Sequence, residues 1–403
     1  MQINKSQKLK NVRYDIRGPI SDEADRLERE GHHIIRLNTG NPAAFGFEVP
    51  ESVSARLKAN AENSAPYSMS KGLPEAREAI AEYCKSVGID DVLPGDVYTG
   101  NGVSELIQIS LQALLDPGDE ILIPTPDYPL WTAAAILAGG KAVHYMCDEA
   151  SLWYPDIADI ERKITPQTRA IVIISPNNPT GAVYPKNILE QIADLARRHD
   201  LVLFSDEIYD RLVMDDFKHF SIASLAPDLF TVTFNGLSKS HQICGYRAGW
   251  MALCGDKSGA KGYIEGINTL VSLRLCSNVT GQSVICAALA DTASTRENVM
   301  PGGRLYEQRG YAFNALNNIP GISAVKPQAA LYIFPKIDIG MYGITDDEKF
   351  VLDFLREKHV LLTHGGSYNW KQPDHFRFAY LPPMDQLRDT MGRLHDFLMH
   401  YRQ

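Results

Sequence analysis

Between residues 96 and 255 the chain alternates short apolar runs, rich in β-branched residues, with longer segments whose apolar positions recur three and four apart. The runs are DVYTG (96–100), EILIPTP (120–126), KAVHYMC (141–147), AIVIISP (170–176), LVLFSDEIY (201–209), FTVTFNG (230–236) and AGWMALCG (248–255). Near-continuous apolar runs of this length predict strands buried on both faces. The segment ILEQIADLARRHD predicts an amphipathic helix that ends in a solvated basic cluster, Arg197-Arg198-His199. Strands and helices in alternation predict an α/β fold, with a mostly parallel seven-stranded sheet covered by helices. Near residue 290 the rhythm changes, and ISAVKPQAALYIFPKID, VLLTHGG and HFRFAYL predict a smaller α+β unit. The expected division is a large domain at 46–290 and a small domain made of 1–45 and 291–403. The Pro/Gly cluster at 300–309, MPGGRLYEQR, reads as a helix start rather than a linker.

Composition narrows the function classes. The chain has 403 residues, 44% hydrophobic and 22% charged, which is globular with ample apolar material for a large core. Its net charge of −9, with no basic stripe interleaved with aromatics, argues against nucleic acid as a partner. No stretch of about 18 apolar residues is present and MQINKSQKLKN lacks an apolar core, so neither a membrane span nor a signal peptide is expected, and a cytoplasmic location is. The six cysteines form no CxxC pair and have no histidine at metal spacing. They read as reduced, mostly buried small hydrophobes, with no metal site. Cys244, between Lys239 and Arg247, is also a candidate reactive thiol.

In an open parallel sheet, ligands bind beyond the carboxyl ends of the strands, and the unusual residues fall there. YTGNGVSELI turns from strand to helix through Gly100 and Gly102. The N–H groups of Val103 and Ser104, with the Ser104 hydroxyl, would donate to a phosphate at the positive end of the helix dipole, although a plain turn leaves the same trace. FSDEIY ends a strand with Asp206 and Tyr209, and alone the carboxylate could be a helix N-cap. SPNNPTG places Asn178 in a turn after another strand. FNGLSKSHQICGYRAGW sets an amine, Lys239, at the end of a buried strand, eight residues before Arg247. A phosphate cradle, an amine, a carboxylate and an Asn/Tyr pair at successive strand ends are what pyridoxal 5'-phosphate demands. The amine condenses with the aldehyde, the carboxylate pairs with the ring nitrogen, and Asn and Tyr hydrogen-bond the ring oxygen. Lys239 is then the covalent anchor and, once displaced, the general base. Arg247 would grip the phosphate bidentately, which lysine cannot do.

The ordered set of Gly/Ser turn, Asn-Pro-x-Gly, Asp-x-x-Tyr, Ser-Lys and Arg resembles the fold-type I, class I/II aminotransferases over nearly the whole chain. Within them it is most similar to the bacterial glutamate–pyruvate (alanine) aminotransferases, through NVRYDIRGP, GNPAAFGF, GNGVSELI, PTPDYPLWTAA, FNGLSK and LRLCSNV. The resemblance implies an aspartate aminotransferase-like fold and reversible transfer between L-alanine and 2-oxoglutarate. Aspartate or broad-specificity transamination and a β-lyase reaction are the alternatives. It further implies that Tyr128 stacks on the cofactor ring and that Ser238 helps hold the phosphate. Tyr67 would reach a neighbouring subunit's phosphate in a homodimer with shared active sites. Arg377, Gly40 and Asn178 would hold the substrate α-carboxylate, although an arginine alternating with apolar neighbours in HFRFAYL also fits an outward-facing surface position. Many relatives carry serine three residues before the lysine, where this chain has Gly236, leaving Ser104, Ser238 and Arg247 for the phosphate. For the distal carboxylate of glutamate two readings stay open. One is Tyr14 and Arg17 in YDIRGP, on a segment able to fold over the pocket. The other is Arg274 in LRLCSN, near where aspartate-specific relatives place an arginine from the partner subunit.

Overall fold

Each of the seven apolar runs forms a strand in the computed structural model, which describes residues 3–12, 14 and 18–403. In chain order these are β1 (Val97–Asn101), β2 (Glu120–Thr125), β3 (Lys141–Asp148), β5 (Thr168–Ile174), β6 (Val202–Asp206), β7 (Thr231–Gly236) and β8 (Ala248–Cys254). A two-residue edge strand, β4 (Tyr154–Pro155), makes the sheet eight-stranded rather than seven. Two residues carry no periodicity, so β4 left no trace in the apolar pattern. The order across the sheet is β1-β8-β7-β6-β5-β2-β3-β4. β8 and β4 run opposite to the other six strands, which share one direction. The run expected to reach Tyr209 ends as a strand at Asp206, and Tyr209 lies in the turn that follows.

Successive side chains of a strand point to opposite faces, and both faces of this sheet are covered. Ala170, Val172 and Ile174 join one apolar cluster with Leu106, Trp131 and Phe234. Ile171 and Ile173 join another with Leu189, Ile192 and Leu195 of the helix Lys186–His199. Double coverage is why these strands read as unbroken apolar runs.

A further cluster gathers the chain's two ends. Ile20, Ala24 and Leu27 of the helix Pro19–Arg29 pack with Phe350 and Phe354 of Asp347–Lys358 and with Leu394 and Phe397 of Met384–His400. Ile35–Arg36 pairs in parallel with Val360–Leu361. The 300–309 cluster leads into a helix, Arg304–Asn317. Tyr209, Leu212 and Met214, just beyond β6, also enter this cluster. A small three-stranded sheet has Phe376–Ala379 at its centre, flanked by Tyr332–Ile333 and Thr363–His364.

The topology determines which residues meet. β1, β5, β6 and β7 run the same way, so the loops that leave them emerge at one edge. β8 runs oppositely and begins at that edge, where Gly249 pairs with both Gly100 and Gly236. Arg247, immediately before β8, is thereby brought beside the ends of β1 and β7.

Candidate active site

A cavity of about 830 Å³ opens at this edge. It is lined by Val103 and Ser104 after β1, Tyr128 after β2, Asn178 after β5, Asp206 and Tyr209 at the end of β6, Ser238 and Lys239 after β7, and Arg247 before β8. Tyr14 and Gly40 from the N-terminal part and Arg377 from Phe376–Ala379 also line it. Gly102 caps the helix Val103–Leu114 from behind, with φ +78°. A β-carbon there would stand 2.1 Å from Arg247 Nη2, so both backbone angle and space require glycine. The guanidinium donates to the carbonyls of Cys244 (2.8 Å) and Asn101 (3.2 Å), which aims it along the helix N-terminus. A cation beside the unpaired N–H groups of a first helical turn favours an anion.

Lys239 sits in the short helix Leu237–Ser240 and donates from Nζ to the Gly40 carbonyl at 2.6 Å. The Cys244 sulfur lies 3.9 Å from the same amine. A β-carbon at Gly236 would lie 2.8 Å from the Ala248 carbonyl oxygen and 3.0 Å from Gly249 Cα. Close pairing of β7 with β8 accounts for the missing serine.

Asp206 is buried, and its Oδ2 accepts from the Trp131 indole at 3.1 Å. Burial pushes its pKa up to about 6, against the lowering effect of Trp131 and of the Ile208 N–H. Tyr209 donates its hydroxyl to that of Tyr332 (3.2 Å).

Arg377 is 1% exposed, which excludes the surface reading. It donates to Asn178 Oδ1 at 3.1 Å and to the Asn38 carbonyl, and it lies over the ring of Tyr332 at 4.1 Å. Among the described residues no carboxylate lies within 4.0 Å of it, and its Nε has no hydrogen-bond partner. A buried cation without a counter-charge is costly unless a ligand supplies one. With Lys239 and Arg247 it gives the cavity, among the described residues, three cationic side chains against the one carboxylate of Asp206, a field suited to a phosphate and a carboxylate together.

Tyr128 and Tyr14 share a hydroxyl–hydroxyl contact of 2.8 Å across the mouth of the cavity. Arg17 lies outside the described residues. Arg274 is not brought to the cavity in its own chain. It donates to the carbonyls of Thr99 (2.8 Å) and Ser70 (3.4 Å), faces Glu105, and borders a second hollow of about 560 Å³ that shares Ser104 with the first. Tyr67 is 79% exposed and away from both. Three cysteines are buried and three, Cys244 among them, half-buried, fewer buried than expected; all are unpaired. No helix among the described residues is long and apolar enough to cross a membrane, and no group of three or more His, Cys, Asp or Glu among them could hold a metal.

Sequence reading missed Tyr332 and Trp131. Tyr332 reaches Arg377 because Tyr332–Ile333 pairs with Phe376–Ala379 across the small sheet, a contact between distant segments that no local spacing records. It also fills the space a side chain at 40 would need, since a β-carbon on Gly40 would fall 1.7 Å from its hydroxyl.

The loop that presents Tyr128 carries a testable electrostatic cost. Asp127 is wholly buried, accepts from Asn369 Nδ2 (2.6 Å) and Thr132 Oγ1 (3.2 Å), and burial pushes its pKa up to about 7. A carboxyl that holds its proton more tightly when folded contributes stability at low pH, lost as pH rises through the folded value. His144, bonded to the same threonine, is pushed down to about 4 by burial, so its own charging is confined to the acid end of the range and is the same in both proteins. Asp127→Asn is therefore expected to leave stability little changed near pH 4 and to raise it by roughly 2 to 4 kcal/mol above pH 7. Denaturant titrations of both proteins across that range check it, and a gain that does not grow with pH would contradict it.

The residues present fit pyridoxal phosphate: an anion cradle at a helix start, an amine, a buried carboxylate, and an aromatic side chain beside them. Comparison with known proteins agrees. Residues 32–394 match the family described as aminotransferase class I and II. The chain is 55% identical over 401 residues to the glutamate-pyruvate aminotransferase AlaA of Escherichia coli (strain K12), covering 100% of this chain and 99% of that one. It superposes on a crystal structure of an aminotransferase from Escherichia coli with TM-score 0.99 and 54% identity, covering all of both chains. With the alanine aminotransferase from Pyrococcus furiosus the TM-score is 0.93 at 40% identity, over 98% of this chain and 100% of that one.

Proposed function

The chain belongs to the class I and II aminotransferases, and from that premise we propose that it transfers an amino group reversibly from L-alanine to 2-oxoglutarate, giving pyruvate and L-glutamate. Its cofactor is pyridoxal 5'-phosphate. The observation that carries the reading is the convergence of Lys239, Asp206, Asn178 and Arg247 on one cavity with a buried Arg377 that has no carboxylate partner among the described residues. The choice of alanine rests on the relatives, whose names state glutamate–pyruvate and alanine transamination.

When bound, the cofactor supplies an aldehyde that takes the amino group and a ring that draws electrons from the substrate Cα. Lys239 would anchor it and, once free, would be the base that takes the proton from the substrate Cα. Asp206 keeps a proton on the ring nitrogen, and Tyr209 and Asn178 hold the ring oxygen. Arg247, Ser104, Ser238 and the N–H groups of Val103 and Ser104 hold the phosphate, with Gly102 leaving room. Tyr128, which lines the cavity, would lie against the ring. Arg377, with Asn178 and Gly40, takes the α-carboxylate common to both substrates.

Alanine and glutamate differ in the distal carboxylate, which needs a cation able to retreat to water when a methyl group replaces it. We assign this to Arg17, supported by Tyr14 three residues earlier, which lines the cavity. Arg274, engaged by Thr99, Ser70 and Glu105, is the rival. We place the protein in the cytoplasm as a homodimer. Exposed Tyr67, Met69, Leu273 and Leu275 support a second copy, whose Tyr67 would approach the phosphate beside Ser104. The division into 46–290 and 1–45 with 291–403 accords with the apolar cluster that joins the chain's ends.

The test supplies glutamate with isotope-labelled amino nitrogen together with pyruvate. Equal amounts of labelled alanine and 2-oxoglutarate are expected. Pyruvate and ammonia formed from an amino donor without an acceptor would indicate a β-lyase, and aspartate outrunning alanine would indicate the aspartate enzyme. In the same assay Arg17→Met should lose about 2 kcal/mol, roughly 30-fold, with glutamate and little with alanine. A parallel fall for both donors, or a selective fall in Arg274→Met instead, would contradict the assignment.

A further inference from the structure

Asp206 can hold a proton on a ring nitrogen only while it is itself ionised, and its surroundings oppose that. It is buried at the end of β6, and no cationic side chain among the described residues lies within 4.0 Å of it. Oδ1 has only a long contact, 3.4 Å, with the Ile208 N–H. Oδ2 accepts at 3.1 Å from the Trp131 indole, the side-chain donor to this carboxylate among the described residues. An indole N–H donates and never accepts, so it favours the carboxylate over the acid.

The packing fixes that donor. Trp131 is wholly buried in the second position of the helix Leu130–Ala138. It stacks on Phe204 at 5.9 Å and meets Phe234 edge-on at 5.3 Å. These rings come from β6 and β7, the strands that carry Asp206 and lead to Lys239. A core aromatic would serve as well with its nitrogen turned elsewhere, whereas here the nitrogen faces the only carboxylate among the described residues of the cavity lining.

We propose that Trp131 is a positioning residue for amino transfer: its indole N–H holds Asp206 ionised and oriented toward the cofactor's ring nitrogen. The inference rests on the aminotransferase reading. Burial raises the Asp206 carboxyl, and the indole lowers it. Without this donor Asp206 is protonated over more of the neutral range and its pairing with the ring nitrogen weakens.

The test measures binding to the apoenzyme. Dissociation constants are compared for pyridoxal phosphate and for its carbocyclic analogue, in which CH replaces the ring nitrogen. Trp131→Phe removes the donor but leaves an aromatic ring. Site-specific replacement of Trp131 by 3-benzothienylalanine keeps the bicyclic shape without an N–H and serves if the phenylalanine variant folds poorly. Loss of a hydrogen bond to a charged group should weaken pyridoxal phosphate binding roughly tenfold and leave the analogue's affinity unchanged. The preference for the cofactor over the analogue should also begin at higher pH than in the unsubstituted protein. An equal loss for both ligands would reduce Trp131 to packing, and no loss for either would remove its role; each outcome overturns the proposal. Failure of the unsubstituted protein to bind pyridoxal phosphate at all would instead count against the functional reading beneath it.

Discussion

Lys239→Ala is expected to abolish amino transfer while the protein keeps its fold and still binds pyridoxal phosphate noncovalently. Among the described residues the lysine is the only amine in the cavity lining, so its removal takes away both the anchor and the base. Loss of a positioned general base alone costs up to about ten-thousandfold in rate, and loss of covalent anchoring adds to it. Asp206, Arg247 and the helix start remain to hold the ring and phosphate. The structural cost is small, because Lys239 gives up one strong hydrogen bond, to the Gly40 carbonyl. Steady-state rates at saturating alanine and 2-oxoglutarate check this, and added small amines should restore part of the activity. Turnover near that of the unsubstituted enzyme would remove Lys239 from the reaction.

Arg377→Met separates function from stability. Two charge-assisted hydrogen bonds to the substrate carboxylate are worth about 3 to 6 kcal/mol together, so kcat/KM should fall by roughly 10² to 10⁴. The fall should be similar for alanine and glutamate, since both present an α-carboxylate. Stability should hold or rise, because the substitution removes a buried cation that rests on Asn178, the Asn38 carbonyl and the Tyr332 ring rather than on an acid. Kinetics with both donors and a thermal unfolding curve check the two halves. A loss below tenfold, or one confined to glutamate, would contradict the assignment.

The seven long strands were legible because burial on both faces leaves unbroken apolar runs, as in Ile171 and Val172. The two-residue strands, Tyr154–Pro155 and Tyr332–Ile333 among them, were not, because pairing partners define them rather than a period. The same contrast holds at the cavity. Lys239, Asp206 and Asn178 follow directly from strand ends, and local chemistry marks each one. For Arg377 the alternation in HFRFAYL left a surface position open beside the carboxylate role that the resemblance implied, and only its enclosure by Tyr332, Tyr368 and Asn38 removes it. Nothing in the sequence around Trp131 singled it out, and only its approach to Asp206, 75 residues away, gives its nitrogen a role.

The reading as a whole turns on Lys239, and borohydride reduction addresses it directly. Purified protein loaded with pyridoxal phosphate is reduced, digested and mapped by mass spectrometry. A phosphopyridoxyl group is expected on the peptide containing Lys239 and should disappear when alanine is added before the borohydride. Modification of another lysine, with Lys239 recovered unmodified, would contradict the mechanism proposed for this cavity.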